Sequence, residues 1–232
     1  MKTATIGILG GMGPLATADL FRKIILHTRA DSDREHIPVI IDSNTAIPDR
    51  TEYLLGRGES PLDELVKTAL RLEAMGADIL LMPCNTAHFF YEEIRSRIGI
   101  DFINMIEETA LQVKKEGGGK KSALLSTEGT SVSGIYDKVF AEMGLELIKP
   151  EKDEQDKVSE VIYNVKKGVL KGYEKSFKGL LASLKKRGAG SFILGCTELP
   201  VYFETLKADE KIFDPTDILA VRGVEKAGKQ VI

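Results

Sequence analysis

The stretch GADILLMPCNT (residues 76–86) has a counterpart later in the chain, GAGSFILGCTE (residues 188–198). Aligned without gaps, the two share a Gly-Ala pair and an apolar strand, and Cys84 falls on Cys196. The helical patterns that precede them align at the same offset, and TIGILGGMGP from residue 5 pairs with SALLSTEGT from residue 122. Two matches in the same order indicate an internal duplication and therefore two similar lobes.

Short apolar runs alternate with longer amphipathic segments along most of the chain. The predicted strands are ATIGIL, IPVIID, DILLM, DFINM, SALLS, ELI, SFILG and KIFD. Between them, patterns such as residues 60–76 place apolar residues from Leu62 to Met75 on one helical face. This alternation predicts an α/β fold of two similar lobes, each a mainly parallel sheet flanked by helices, with the active site in the cleft between them.

The lobe boundaries follow from the repeat. We place the first lobe at residues 1–103 together with about 209–232, and the second lobe at residues 104–208. Pro14, Pro61 and Pro215 are predicted to stand at helix starts, which suits their preset φ. The glycine run at residues 117–119 is interpreted as a helix stop followed by a turn.

Composition narrows the possible functions. The chain has 232 residues, 43% of them hydrophobic, and a formal net charge of −3 without a long block of one sign, so nucleic acid or an anionic membrane is not an expected partner. No apolar run approaches the roughly 18–20 residues that span a bilayer, and the short N-terminal run predicts a buried strand rather than a signal peptide. A cytoplasmic location is expected, with both cysteines reduced. The three histidines show no metal-ligand spacing, and no metal site is predicted.

The loop GMGPLA (residues 11–16) matches the G-x-G-x-x-A form of the dinucleotide fingerprint. Asp42 ends the second predicted strand, where an acidic residue would bind a ribose. Against this interpretation, Pro14 follows the last glycine of the turn, and the matching loop around Gly129 carries no fingerprint. We therefore interpret both loops as backbone-lined turns that serve another ligand.

Each cysteine directly follows an apolar strand and precedes a predicted helix start. Open parallel sheets bind ligands at the carboxyl ends of their strands, and a helix N-terminus lowers the pKa of a nearby thiol from about 8.5. One isolated cysteine is more often a buried, inert residue, but two at equivalent positions can act as base and acid on opposite faces of one carbon. The small polar residues beside them, which can hold a carboxylate or an enolate-like intermediate, are Asn85, Thr86, Thr197 and Glu198.

These motifs resemble the cofactor-independent aspartate/glutamate racemase family over essentially the whole chain. The matching stretches are GGMGP (residues 10–14), PDRT (48–51), MPCNTAH (82–88) and GCTELP (195–200). GGMGP and CTELP are more similar to the aspartate racemase branch, and Glu198 stands where glutamate racemases carry a histidine. The resemblance implies an aspartate racemase, with a broad-specificity or glutamate racemase as the alternative.

By this resemblance, Cys84 and Cys196 are the acid/base residues, and an acidic amino acid binds between the lobes without metal or pyridoxal phosphate. The further substrate-binding residues that it implies are Met12, Arg50, Thr127, Thr130 and Lys166. Each also has a structural interpretation: the methionine can pack, the two cations can be solvated, and the threonines can cap a helix. His88 is interpreted as ordering the loop after Cys84, and a homodimer is implied because dimers are common in the family.

Two other functions stay open on the sequence alone. A decarboxylase or cis–trans isomerase of the wider cysteine-based superfamily would rely on a different cysteine arrangement. A two-lobed binding module would close on a dicarboxylate without turnover, since fold alone does not determine function. Loss of turnover in each single-cysteine variant distinguishes a two-base racemase from both.

Overall fold

The computed structural model describes residues 3–116, 121–207 and 209–232. The predicted turn at residues 117–119 lies outside the described residues. The first part of the chain contains β1 (Ile6–Gly10), α1 (Pro14–His27), β2 (Val39–Ser43), α2 (Arg50–Leu54), α3 (Leu62–Ala74), β3 (Ile79–Leu81), α4 (Tyr91–Arg95), β4 (Asp101–Phe102) and α5 (Met105–Glu116). The later part contains β5 (Lys121–Ser126), α6 (Glu128–Ser133), α7 (Ile135–Glu142), β6 (Leu147–Ile148), α8 (Lys152–Lys166), α9 (Glu174–Lys186), β7 (Ala189–Gly195), α10 (Glu198–Leu206), β8 (Ile212–Phe213) and α11 (Pro215–Lys226). Short 3₁₀ segments occupy Asp33–Glu35 and Thr86–Phe90.

The chain divides into two compact units. Unit 1 comprises residues 1–108 and 216–232, and unit 2 comprises residues 109–215. Both borders lie a few residues beyond the predicted ones, because α5 continues across the first border and the second falls at the start of α11.

Unit 1 is built on a parallel sheet with the strand order β2-β1-β3-β4. Ile6 and Ile8 of β1 pack with α1 and α11, while Leu9 packs on the opposite side with α3. Alternate residues of a strand point to opposite faces, so β1 is apolar on both sides. Gly7 lies on the α3 side, where an added Cβ would come within 2.8 Å of the Cβ of Ala77.

Unit 2 repeats this plan with a parallel sheet in the order β6-β5-β7-β8. Its main core joins β5 and β7 to the buried faces of α8, α9 and α10. The strand order equals that of unit 1, as an internal duplication requires. Every predicted strand is present, and the predicted fold of two parallel sheets flanked by helices is confirmed.

Helix ends account for two differences from the predicted apolar stripes. Met75 is 64% exposed because α3 ends at Ala74 and the chain turns at Gly76, which has a φ of +96°. Val169 continues the apolar spacing of Val158, Ile162 and Val165 in the sequence, but it is 44% exposed because α8 ends at Lys166 and Gly168 follows with a φ of +80°. Among the described residues, no helix combines the length and apolar character that crossing a membrane demands.

Candidate active site

The loop between β1 and α1 is closed by a threonine of its own helix. Thr17 accepts a hydrogen bond from the Gly11 N–H at 2.9 Å and donates to the Gly13 carbonyl at 3.0 Å. The Met12 side chain is buried in one apolar cluster with Leu9 and Ile47. Sequence reasoning missed Thr17, whose only signal is a threonine in the first turn of the following helix.

Asp42 is not available to a nucleotide in this arrangement. Its carboxylate forms an ion pair with Arg71 of α3 at 2.7 Å. The acidic residue that made the dinucleotide fingerprint plausible is therefore engaged within unit 1.

Arg50 carries a charge that no described carboxylate neutralises. It is the first residue of α2, whose N-cap Asp49 accepts hydrogen bonds from two backbone N–H groups. Among the described residues, its guanidinium donates only to carbonyl groups, those of Pro48 at 2.8 Å, Ile47 at 3.3 Å and Met12 at 3.5 Å. Its buried Nε has no hydrogen-bond partner among the residues described. An arginine held by carbonyl dipoles keeps its positive charge available for a carboxylate from outside the chain.

Cys84 lies beyond the carboxyl end of β3 in the same apolar cluster as Met12. It is 6% exposed, and its neighbours Asn85 and Thr86 are also buried. The helical segment that follows begins as the 3₁₀ turn Thr86–Phe90 and continues directly into α4. Within unit 1 the structure therefore brings Met12, Arg50 and Cys84 to one edge of the sheet.

His88 is a fully enclosed histidine with both ring nitrogens engaged. Nδ1 lies 2.8 Å from the Cys84 carbonyl, and Nε2 accepts the backbone N–H of Met105 at 3.1 Å. Since Nε2 is the acceptor, Nδ1 carries the proton and donates to the cysteine's carbonyl. Burial lowers the pKa of His88 to about 4, against the weaker opposite effect of the Cys84 and Ile103 carbonyls. His88 is therefore a neutral imidazole, and its hydrogen bond holds the backbone of Cys84 in place.

This buried histidine predicts a specific dependence of stability on pH. The unfolded chain binds a proton at His88 below about 6.5, whereas the folded chain does so only near 4. The free energy of unfolding should therefore fall as the pH drops through that window, by at most about 3 kcal/mol. In urea titrations from pH 4 to pH 7, His88→Asn should flatten the slope relative to the wild type. Equal slopes for His88→Asn and the wild type would contradict the assignment.

Cys196 directly follows β7 in unit 2 and is 7% exposed. Its Sγ donates to Oε2 of Glu198 at 2.9 Å, and the Thr197 hydroxyl reaches the same oxygen at 3.3 Å. Glu198 opens α10, so the helix start positions the carboxylate next to the sulfur. The structure brings these three predicted site residues together.

The pKa of Cys196 is shifted in the direction opposite to the one predicted from its helix-start position. Burial raises it well above its usual range, and the negative charge of Glu198 raises it further. Lys166, at the end of α8, opposes these effects by favouring the thiolate, as does the backbone N–H of Glu198. The positive end of α10 is therefore outweighed by desolvation and by a carboxylate in contact with the sulfur. Lys166 also lies with Nζ 5.5 Å from the centre of the Tyr163 ring.

Thr127 and Thr130 border the same sheet edge as Cys196. Thr127 follows β5, whose last residue, Ser126, pairs in register with Gly195. The Thr127 hydroxyl caps α6 by accepting the Thr130 N–H at 3.3 Å, and the two hydroxyl oxygens are 3.1 Å apart. Thr127 is thus the N-cap of α6.

One further side chain holds this edge together and was not anticipated from the sequence. Gln155 of α8 donates from Nε2 to the Ser126 carbonyl at 2.9 Å. A glutamine in the first turn of a helix has no sequence signal that distinguishes it from a solvated one. Across the described ranges, no group of three or more histidine, cysteine or acidic side chains is arranged to hold a metal ion.

Comparison with known proteins yields one family. The family model described as Asp/Glu/hydantoin racemase matches residues 9–223. A broad-specificity amino-acid racemase of Bacillus subtilis is 29% identical over 228 residues, which cover 93% of this chain and 94% of that protein. The aspartate racemase of Picrophilus torridus is 31% identical with a TM-score of 0.86, covering 99% of this chain and 96% of that chain.

An aspartate racemase homologue from Pyrococcus horikoshii is 26% identical, with a TM-score of 0.79 and coverage of 97% of this chain and 100% of that chain. The sequence matches and the structure matches therefore both cover nearly the full length of this chain. The chain belongs to the Asp/Glu/hydantoin racemase family and is an amino-acid racemase.

Proposed function

We propose that this protein racemises aspartate by direct proton transfer between the substrate α-carbon and the two cysteines Cys84 and Cys196. The observation that carries the proposal is the equivalent placement of one buried cysteine at the carboxyl edge of each parallel sheet. The likeness to aspartate racemases supports the substrate, and the B. subtilis relative supports broad specificity as the second candidate.

The reaction needs a base and an acid on opposite faces of one carbon. The thiolate of one cysteine takes the α-proton, and the electron pair of the broken C–H bond stays on the substrate as a carbanion. The thiol of the other cysteine then gives its proton to the opposite face, which inverts the centre. Running the steps in reverse exchanges the two roles, so the same residues serve both enantiomers.

The weak acidity of the α-hydrogen is the main obstacle, because it is far less acidic than a thiol. Charge that develops on the substrate carboxylate must be stabilised by donors already in place. Arg50 fits this role, since its guanidinium contacts only carbonyl oxygens and no described carboxylate. The other proposed substrate contacts are Asn85, Thr86, Thr127, Thr130, Lys166, Thr197 and the backbone of Met12.

The decisive test is α-proton exchange in deuterated water. After dialysis against a chelator and without added pyridoxal phosphate, the enzyme should convert L-aspartate to D-aspartate that carries one deuterium at the α-carbon. Mass spectrometry and chiral chromatography measure the two outcomes. L-glutamate and L-alanine run in parallel: comparable turnover of all three would select broad specificity, and no exchange with any of them would refute the proposal.

A further inference from the structure

The two cysteines occupy equivalent positions but have different electrostatic surroundings. In unit 2, the Cys196 thiol donates to Glu198 at 2.9 Å, two residues along the chain. The equivalent position in unit 1 is Thr86, and no described carboxylate is hydrogen-bonded to the Cys84 sulfur. Among the described residues, a carboxylate is therefore hydrogen-bonded to only one of the two sulfurs.

A carboxylate in contact with sulfur discriminates between the two protonation states. It accepts a hydrogen bond from S–H, whereas it repels a thiolate at the same distance. Enclosure strengthens both effects, because Cys196 is almost fully removed from water. The charged groups that act on this sulfur are Glu198 of α10 and, in the opposite sense, Lys166 of α8.

We propose that Glu198 is a positioning residue that keeps the proton on Cys196, so that Cys196 is the acid of the resting enzyme. This inference rests on the proposed two-cysteine racemisation and assigns Glu198 to the thiol rather than to substrate. In the favoured direction, Cys84 takes the α-proton and Cys196 gives its own to the carbanion. After the product leaves, Cys84 holds the proton and Cys196 has lost its own. The resting enzyme is restored when one proton passes from Cys84 to water and another passes from water to Cys196, with no net change.

This asymmetry has a defined kinetic signature. The two enantiomers have equal free energy in water, so kcat/KM must be the same in both directions. Unequal resting forms therefore appear as unequal kcat values matched by unequal KM values. Glu198→Gln keeps the size of the side chain but removes its charge, and should bring the two kcat values closer together.

The direct test titrates the Cys196 thiol in a Cys84→Ala background, where it is the remaining cysteine of the chain. Adding Glu198→Gln should lower the thiol pKa by at least about one unit, which raises the thiolate fraction at pH 8 about tenfold. Ultraviolet thiolate absorbance measures the pKa, and iodoacetamide alkylation gives an independent rate. Glu128→Gln, an exposed first-turn substitution in α6 of the same unit, is the matched control and should leave both unchanged.

The outcomes separate this inference from the proposed function. An unchanged Cys196 pKa in folded Glu198→Gln protein would overturn the role of Glu198, even if the wild type racemises aspartate. If Glu198→Gln lowers the Cys196 pKa in the Cys84→Ala background but the wild-type enzyme shows no α-proton exchange, the racemase mechanism is refuted and the thiol–carboxylate coupling stands. If Glu198→Gln does not fold, Glu198→Asp, which keeps the charge but withdraws it from the sulfur, should lower the pKa by a smaller amount, and an unchanged value would count against the role.

Discussion

The variants Cys84→Ala and Cys196→Ala, made separately, are each expected to lower kcat for racemisation by about 10²- to 10⁴-fold. Either substitution removes one of the two groups between which the proton passes, so inversion cannot be completed. Both enantiomers should be affected, because each cysteine is the base for one of them and the acid for the other. A coupled assay for D- and L-aspartate measures the loss in both directions.

The serine variants separate an effect on packing from an effect on proton transfer. Cys84→Ser and Cys196→Ser nearly preserve the buried volume at sites that are 6% and 7% exposed, but a hydroxyl is a far weaker acid than a thiol. We expect them to be as inactive as the alanine variants while unfolding at the wild-type urea concentration. Near-wild-type turnover in any of the four variants would rule out a two-base mechanism at these residues.

Gly11→Ala is expected to destabilise unit 1 by about 2–5 kcal/mol, because backbone strain and overpacking act at the same residue. Gly11 has a φ of +93°, and an added Cβ would lie 2.3 Å from the backbone carbonyl of Asn44. Asn44 cannot easily withdraw, since its side chain donates to Thr68 and accepts the N–H of Ala46. Urea unfolding followed by circular dichroism measures the change.

Gly13→Ala is the matched control for this prediction. It lies two residues away in the same loop, has a φ of −104°, and would place its Cβ with no atom within 4 Å. Its expected change in unfolding free energy is within about 0.5 kcal/mol, the usual range for surface substitutions. If the two variants unfold at the same urea concentration, the close approach of the two loops does not constrain Gly11.

The strands β1, β3, β5 and β7 were predictable because they are largely buried on both faces and therefore form continuous apolar runs. Ile6, Ile8 and Leu9 pack on opposite sides of the same sheet, and helical segments flank them. The internal repeat added the equivalence of the two sheets, which share one strand order. The ends of helices were harder to predict. At Val169 the apolar spacing continues although α8 has already ended at Lys166.

The candidate site was predictable in its residues but not in its electrostatics. The position of Cys196 next to a helix start predicts a lowered pKa, and the helix start is present. The pKa is raised instead, because burial and the rotamer that brings Glu198 into contact outweigh the helix. Neither the depth of burial nor a rotamer can be predicted from residue types. For the same reason, the sequence could not predict that the Arg50 guanidinium donates to the carbonyl groups of Ile47, Pro48 and Met12.

The return of α11 to unit 1 has a consequence for biosynthesis. Leu219, Ala220 and Val224 belong to the cluster that covers Ile6 and Ile8 of the first strand. The ribosome must therefore make all of unit 2 before the helix that completes unit 1 emerges. Unit 2 is contiguous and can fold as soon as it emerges, whereas unit 1, begun first, has this face of its sheet covered only by α1 until α11 is made.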